Sequence, residues 1–337
     1  MTQSTFSSDA GASPAFSVVE RKLLKNPVAR FAPSPTGPLH AGSLLAAVGS
    51  YLDARANGAL WLVRIEDLDT PRVVSGCADA MLRTLEAFGF EWDGEVLFQS
   101  TRRAAYHDAI ATLTKAGRIF ACSCSRKDLA GGDEDTQGYP GTCRSGPTKA
   151  GPTALRFHVR ERPIHFDDLY QGLETFDLGQ CGDVVVQRRD GIASYQLAVV
   201  VDDAFQGVTR VVRGADLLSS TPWQIDLLEA LELPTPIYGH LPLLLEPDGG
   251  KLSKTRNATP IDPAAAPRLL TSTLTHLSQT PPPGLANSSI KDVWNWALEH
   301  WNPQALAGKT ESRLSARGDS EAESKGENCG VQEGVLR

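Results

Sequence analysis

The sequence predicts an α/β protein built on a doubly wound parallel sheet, and three observations point there. Strand and helix patterns alternate along residues 28–117, the order that generates βαβ units. Leu60-Trp-Leu-Val-Arg-Ile65 is a nearly continuous apolar run, the signature of a strand buried on both faces. A Pro/Gly loop, Ser34 to Pro38, joins the first strand to the first helix, where such sheets bind ligands. At 337 residues, 41% hydrophobic and 22% charged, the chain can bury a core without disulfide staples.

Residues 1–26 are rich in Ser, Ala and Gly and lack a basic-then-apolar export pattern, so a flexible leader is expected. The first strand is Val28-Ala-Arg-Phe-Ala-Pro33, stopped by Pro33 and Pro35. Ala41–Ala56 has helical spacing, with Leu44, Leu45, Val48, Tyr51 and Leu52 on one face, and Asn57-Gly58 ends it. Leu60–Ile65 is the second strand, and residues 75–89 and 102–117 read as helices closing at Gly89 and Gly117. The first half of the α/β domain is therefore 27–117. Residues 118–182, with their Gly, Pro and Cys, read as an inserted subdomain. The second half, 183–306, resumes with strands at Val184–Val186, Leu197–Val201 and Val208–Val212. A helix at about 216–231, a strand at Leu241–Leu245 and helices at 262–279 and 289–302 follow. Residues 307–337 are polar and almost free of apolar residues, so a disordered tail is expected.

Thirty-three Lys+Arg against forty Asp+Glu give a net charge of −7, which excludes a generally basic nucleic-acid coat. It leaves room for a local basic face, with Arg102, Arg103, Arg126, Lys127, Arg144, Arg188 and Arg189 as candidates. No stretch approaches the roughly 18 apolar residues of a membrane span. The six cysteines are too sparse for a secreted disulfide framework and fit a reducing compartment, hence the cytoplasm.

Two constellations carry the chemistry. In Arg30-Phe-Ala-Pro-Ser-Pro-Thr-Gly-Pro-Leu-His40-Ala-Gly42-Ser43 a strand ends, a loop turns, and a His and a Gly open a helix. A glycine there lets a base or phosphate approach the backbone, and the imidazole can donate to phosphate oxygens. A proline-rich turn with a capping Ser or His would look the same. About 210 residues later, Lys251-Leu-Ser253-Lys254-Thr255 follows the turn Pro247-Asp-Gly-Gly250. Two lysines three apart in a Gly-led loop can bring mobile positive charge to a polyphosphate, although a lone pair of this kind is more often a solvated basic loop. A third cluster, Cys122-Ser-Cys124 with Cys143, offers three thiolates to a zinc ion. Spacing leaves the fourth ligand open among Asp133, Glu134, Asp135 and Tyr139, and three free thiols would fit as well.

Taken together, the two loops resemble the H-I-G-H and K-M-S-K-S signatures of the class I aminoacyl-tRNA synthetases, over about residues 28–260. Arg30–Gly37, Val63-Arg-Ile-Glu-Asp-Leu-Asp69 and Val212-Arg-Gly-Ala-Asp216 are similar to the glutamyl branch. Ala41, Ser43, Leu252 and Thr255 depart from the signatures, while His40, Gly42, Lys251 and Lys254 keep them. Cys-x-Cys followed by Tyr139-x-x-x-Cys143, with only 83 residues after Lys254, resembles the short glutamyl-Q tRNA(Asp) synthetase family, which has no helical anticodon-binding domain.

That resemblance implies a Rossmann-like catalytic domain that activates L-glutamate with ATP and Mg²⁺ and transfers it to queuosine in the anticodon of tRNA(Asp). It implies glutamate binding by Arg30, Phe31, Ala32, Pro33, Ser34, Glu66, Tyr195 and Arg213. It implies ATP binding by His40, Gly42, Ser43, Lys251, Ser253 and Lys254, with His40 and Lys254 as the catalytic charges. It implies one structural zinc on Cys122, Cys124, Tyr139 and Cys143, and a monomer is expected. Arg30 and Glu66, at adjacent strand ends, could instead form a structural ion pair. Two other functions compete: an inactive zinc-bearing RNA-binding paralogue, and a nucleotidyltransferase acting on small molecules.

Overall fold

The computed structural model describes residues 26–129, 138–246, 249 and 259–314. In chain order it forms β1 (Val28–Phe31), α1 (Ala41–Ala56), β2 (Leu60–Ile65), α2 (Cys77–Ala87), β3 (Leu97–Phe98), α3 (Arg103–Lys115), β4 (Ile119–Cys122) and α4 (Arg126–Leu129). Then come β5 (Ala154–Phe157), β6 (Pro163–Asp168), β7 (Gly172–Asp177), α5 (Leu178–Cys181), β8 (Val184–Gln187), α6 (Tyr195–Phe205) and β9 (Arg210–Gly214). The chain continues through α7 (Thr221–Ala230), β10 (Ile237–Leu241), β11 (Leu243–Leu245), α8 (Ala266–His276), α9 (Ile290–His300) and β12 (Glu311–Arg313).

The main sheet runs β3-β2-β1-β9-β10-β6-β7, parallel up to the antiparallel edge strand β7. Alternating side chains along β1 and β2 feed two cores. Ala29, Phe31, Trp61, Val63 and Ile65 pack under α1, α2, α8 and α9. Val28 and Val211 pack on the other face under α3, α6 and α7. The first core centres on Tyr51, set edge-on to Trp61 (5.1 Å), Phe90 (5.4 Å) and Trp294 (4.9 Å). Helix α1 lies so close to the sheet that a Cβ on Gly49 would come within 2.5 Å of Leu241. Asp53, buried on α1, accepts both ends of the Arg210 guanidinium at 2.9 Å and the Tyr170 hydroxyl at 3.1 Å, pinning the helix to β9. Among the described residues no helix is long and apolar enough to cross a membrane.

Four expectations are corrected. Leu197–Val201 is not a strand but the heart of α6. Leu197 to Asp203 are all buried, and burial on every side overrides the strand preference of three consecutive valines. Residues 118–182 are not a self-contained insertion. The hairpin β6–β7 extends the main sheet, whereas β8, beyond residue 182, completes the separate antiparallel sheet β4-β5-β8. The tail does not begin at Ala307. Strand β12 pairs in parallel with β11, and the Gly308 N–H donates to the Tyr170 carbonyl. Backbone pairing needs no apolar side chains, so polar composition did not reveal it. Pro242 also splits the expected strand Leu241–Leu245 between β10 and β11. The rest of the expected leader and tail, residues 1–25 and 315–337, lies outside the described residues.

Candidate active site and cysteine centre

A cavity of about 410 Å³ opens beyond the carboxyl ends of β1, β2, β9 and β10, against the first turn of α1. Chains with this fold bind ligands there, because the strand ends and helix amino ends leave backbone groups unpaired. Arg30, Phe31, Ala32, Pro33, Ser34, His40, Gly42, Ser43, Glu66, Tyr195 and Arg213, marked in the sequence and separated by up to 183 positions, line this one space. Lys251, Ser253 and Lys254 lie outside the described residues.

One wall is an ion cluster. The Arg30 Nε donates to Asp203 Oδ1 at 3.1 Å, and no Arg30–Glu66 ion pair forms. Arg64, fully buried, places its Nη1 2.7 Å from the same Asp203 oxygen and also donates to Gln206 at 2.8 Å. Its Nη2 stands 3.6 Å from Glu66 Oε1, beyond hydrogen-bond reach, and that Glu66 oxygen is buried without a hydrogen-bond partner. Burial pushes the Glu66 carboxyl up to about 7. Arg64 and Arg30 pull the other way, and Asp203 and Asp202 add to the rise. Asp203 is held below the usual range, since Arg30 and Arg64 outweigh its burial. The Arg64 Nη2 and Nε are likewise buried without hydrogen-bond partners, so this oxygen and Arg64 face one another as a loose buried ion pair.

The opposite wall is Arg213. Its Nε donates to His240 Nε2 at 3.1 Å, its Nη1 to Gln224 at 2.8 Å and Tyr195 Oη at 3.2 Å, and its Nη2 to Thr221 at 2.9 Å. His240 is fully buried on β10, with Nδ1 2.6 Å from Asp168 Oδ2. Burial keeps the His240 pKa low, and the Arg213 charge adds to this against the pull of Asp168. The ring is therefore neutral, with its proton on Nδ1 toward Asp168 and Nε2 accepting from Arg213. Asp168 is itself fixed by the Tyr170, Gln171 and His240 N–H groups. A chain of groups from β6 through β10 thus sets the Arg213 fork. Arg64 was visible only as part of the Val63–Asp69 motif, with no role attached, and for Asp168, Asp203 and His240 the Asp202-Asp203 pair inside an apolar run was the one signal.

His40 is the N-cap of α1, its Nδ1 accepting from the Ser43 N–H at 3.3 Å. The capping alternative therefore holds, and it also turns the ring's second nitrogen into a donor. No acidic residue occupies the first turn of α1, so its positive end is not offset locally.

The cysteine cluster forms at the end of β4. The sulfurs of Cys122, Cys124 and Cys143 lie within 4.8 Å of one another, and they could hold a metal ion. Tyr139 Oη sits 3.4 Å from Cys122 Sγ and 3.9 Å from Cys124 Sγ, and accepts from the Cys143 N–H at 2.8 Å. Burial alone would raise the Cys143 thiol, but hydrogen bonds from the Tyr139 hydroxyl and from the Ser123 and Thr148 backbone pull it down to about 5. Two glycines seat the tyrosine: a Cβ on Gly138 would fall 2.1 Å from the Cys181 carbonyl, and one on Gly182 2.4 Å from the Tyr139 nitrogen. Gly182 also takes φ +68°, which favours glycine. Three thiols gathered within reach of one ion are the donors a soft divalent metal takes, and the Tyr139 hydroxyl stands beside them. Asp133, Glu134 and Asp135 lie outside the described residues.

The candidate basic face is smaller than the sequence suggested. Arg102 pairs with Asp202, Arg144 with Asp183 and Glu161, and Arg188 with Asp69 and Asp190. Arg189 donates to the Ser123 carbonyl at 2.6 Å.

A family model described as the catalytic domain of the class I tRNA synthetases (E and Q) matches residues 27–266. The glutamyl-Q tRNA(Asp) synthetase of Aromatoleum aromaticum is 50% identical over 299 residues, covering 86% of this chain and 95% of that protein. The enzyme of the same name from Geobacter sulfurreducens is 51% identical over 296 residues, covering 83% and 93%. The crystal structure of glutamate-tRNA synthetase from Elizabethkingia anophelis superposes with a TM-score of 0.71 at 26% identity, covering 87% of this chain and 68% of that one.

Proposed function

We propose that this chain, which belongs to the class I tRNA synthetases of the E and Q type, activates L-glutamate and transfers it to queuosine in the anticodon of tRNA(Asp). The observation that carries the glutamate half is the cavity that sets the Glu66 carboxyl and two anchored guanidiniums around one space. The acceptor half rests on the relatives that share half the sequence along most of its length.

In the first step a glutamate α-carboxylate oxygen attacks the α-phosphorus of ATP. The bond from the α-phosphorus to the bridging oxygen breaks, and pyrophosphate leaves; magnesium would travel with the ATP as part of the substrate. Glu66 holds the ammonium group, and Arg30 and Arg213 turn their positive charge toward the carboxylates. Phe31, Ala32, Pro33 and Ser34 line the amino-acid side, and the Tyr195 hydroxyl stands beside Arg213. His40, Gly42 and Ser43 receive the nucleotide, and Lys251, Ser253 and Lys254 are assigned to its phosphates by their motif. His40 and Lys254 stabilise the charge that grows on them. In the second step a ring hydroxyl of queuosine attacks the acyl carbon, AMP leaves, and the hydroxyl proton passes to solvent. A zinc ion on Cys122, Cys124, Tyr139 and Cys143 would tie the ends of the β4-β5-β8 region together, with no position left for a reacting water. ATP and tRNA as substrates suit a cytoplasmic enzyme, and the proposal takes it as a monomer.

The test is ATP–pyrophosphate exchange followed by mass spectrometry of the tRNA product. Glutamate, and neither aspartate nor glutamine, should drive exchange, and the glutamyl group should appear on queuosine of tRNA(Asp). Absence of exchange, or an ester on a 3′-terminal adenosine, would overturn the reading.

A pH prediction follows from Glu66. Only the ionised carboxylate pairs with an ammonium group, and burial holds its pKa near 7 in the empty site. Glutamate KM should therefore rise about tenfold for each unit the pH falls below about 7, with kcat changing less. Glu66→Gln should remove this limb of the profile while raising KM at all pH values. A wild-type KM flat between pH 5.5 and 8 would remove Glu66 from ammonium binding.

A further inference from the structure

A second cavity, of about 610 Å³, lies on the other side of Tyr195, which lines both spaces. Its volume falls in the range that holds a whole small ligand. One wall is Val184 and Val185 of β8 with Trp223 of α7; the other carries Tyr139 and Arg156. Arg156 is 8% exposed. Its Nη1 donates to the Asp183 carbonyl at 2.6 Å and its Cζ lies 3.8 Å from the centre of the Tyr139 ring, yet its Nε has no hydrogen-bond partner. The first turn of α6 opens onto the same cavity and no side chain caps it, because the Ser194 hydroxyl donates instead to the Val185 carbonyl. Both unanswered features are donors. The two carboxylates nearby are already engaged, Asp128 by Lys149 and Asp183 by Arg144.

Flat apolar walls with donors at one end select a planar heterocycle bearing a carbonyl oxygen. A phosphodiester would bring a full charge against valine and tryptophan. The position adds a second constraint. A hydrogen-bonded series runs from Gln196 in this cavity through Gln224 to Arg213 in the first, so the two spaces are held in register. Resting on the acceptor reading above, we propose that this cavity seats the nucleobase of the RNA nucleotide that receives the glutamyl group. The base carbonyl faces Arg156 and the start of α6, and the base stacks along Trp223. The acceptor hydroxyl reaches the adenylate past Tyr195.

Two variants test it, Arg156→Gln and the cavity-filling Val185→Trp, with zinc content and thermal midpoint as checks on folding. Both should leave glutamate-dependent pyrophosphate exchange within about twofold of wild type and raise the KM for tRNA in transfer about tenfold or more, the scale of one lost base contact. If Arg156→Gln unfolds the β4-β5-β8 sheet, Val185→Trp alone decides. Unchanged tRNA KM would overturn the proposal, and so would exchange and transfer falling together, since the cavity would then act through the glutamate site. A wild-type enzyme that exchanges pyrophosphate but transfers to no queuosine-bearing RNA would instead overturn the acceptor reading.

Discussion

Arg213→Ala is expected to lower kcat/KM for glutamate in pyrophosphate exchange by about 10²–10³. The side chain is buried, and its guanidinium donates to His240, Tyr195, Gln224 and Thr221. Removing one partner of a buried, hydrogen-bonded charge pair costs about 2–5 kcal/mol, and each 1.4 kcal/mol is a decade in binding. Lysine should not rescue: one ammonium cannot occupy the four protein positions the guanidinium now fills. The neighbouring His240→Gln separates charge from placement. The ring is neutral and acts only through Arg213, so its loss should raise glutamate KM about tenfold with little change in the KM for ATP. The comparison is read from steady-state exchange at saturating ATP, with the thermal midpoint confirming that both variants fold. Arg213→Ala retaining kcat/KM within tenfold of wild type would place the glutamate elsewhere.

The parts of this site carried by local chain geometry were legible in the sequence. Strand β1, the proline-rich loop, the His40 cap and α1 follow from spacing and from residues that stop one element and start the next. The eleven described residues marked for glutamate and ATP fall in one cavity because strand ends and helix starts converge by topology alone. The supporting contacts were not legible. Asp203 neutralises Arg30 and Arg64 from α6, across 173 and 139 positions, and its own segment was read as following a strand. Asp168 reaches His240 across 72 positions, from a hairpin assigned to the insertion. Such pairs leave no periodicity, since they depend on which strands become neighbours. The same limit explains β12, whose partner β11 lies nearly seventy residues earlier.

Cys143→Ser should cost the protein its metal and loosen its β4-β5-β8 sheet while leaving glutamate activation largely intact. Freshly purified wild-type protein is expected to hold one zinc per chain. Four protein ligands at a structural site contribute on the order of 10 kcal/mol where a small unit folds only with its metal. Here the sheet pairs β4 with β5 and β5 with β8 on its own account, so the loss is partial. The damage should stay local. The sulfurs gather at the end of β4, held by the crossing of Gly138 and Gly182, whereas the glutamate and nucleotide positions, Tyr195 of α6 apart, stand on or beside β1, β2, β9 and α1. Amide exchange should therefore accelerate across β4, β5 and β8 and remain slow in β1 and β2. Pyrophosphate exchange should stay within severalfold of wild type. Transfer to RNA should fall by orders of magnitude, because Tyr139 carries the Arg156 guanidinium on its ring and the wall of the second cavity goes with it. Metal analysis that finds no zinc in the wild type, or full occupancy in Cys143→Ser, would refute the site. An equal loss of activation and transfer would show that the cysteine centre supports the whole catalytic domain rather than the RNA side alone.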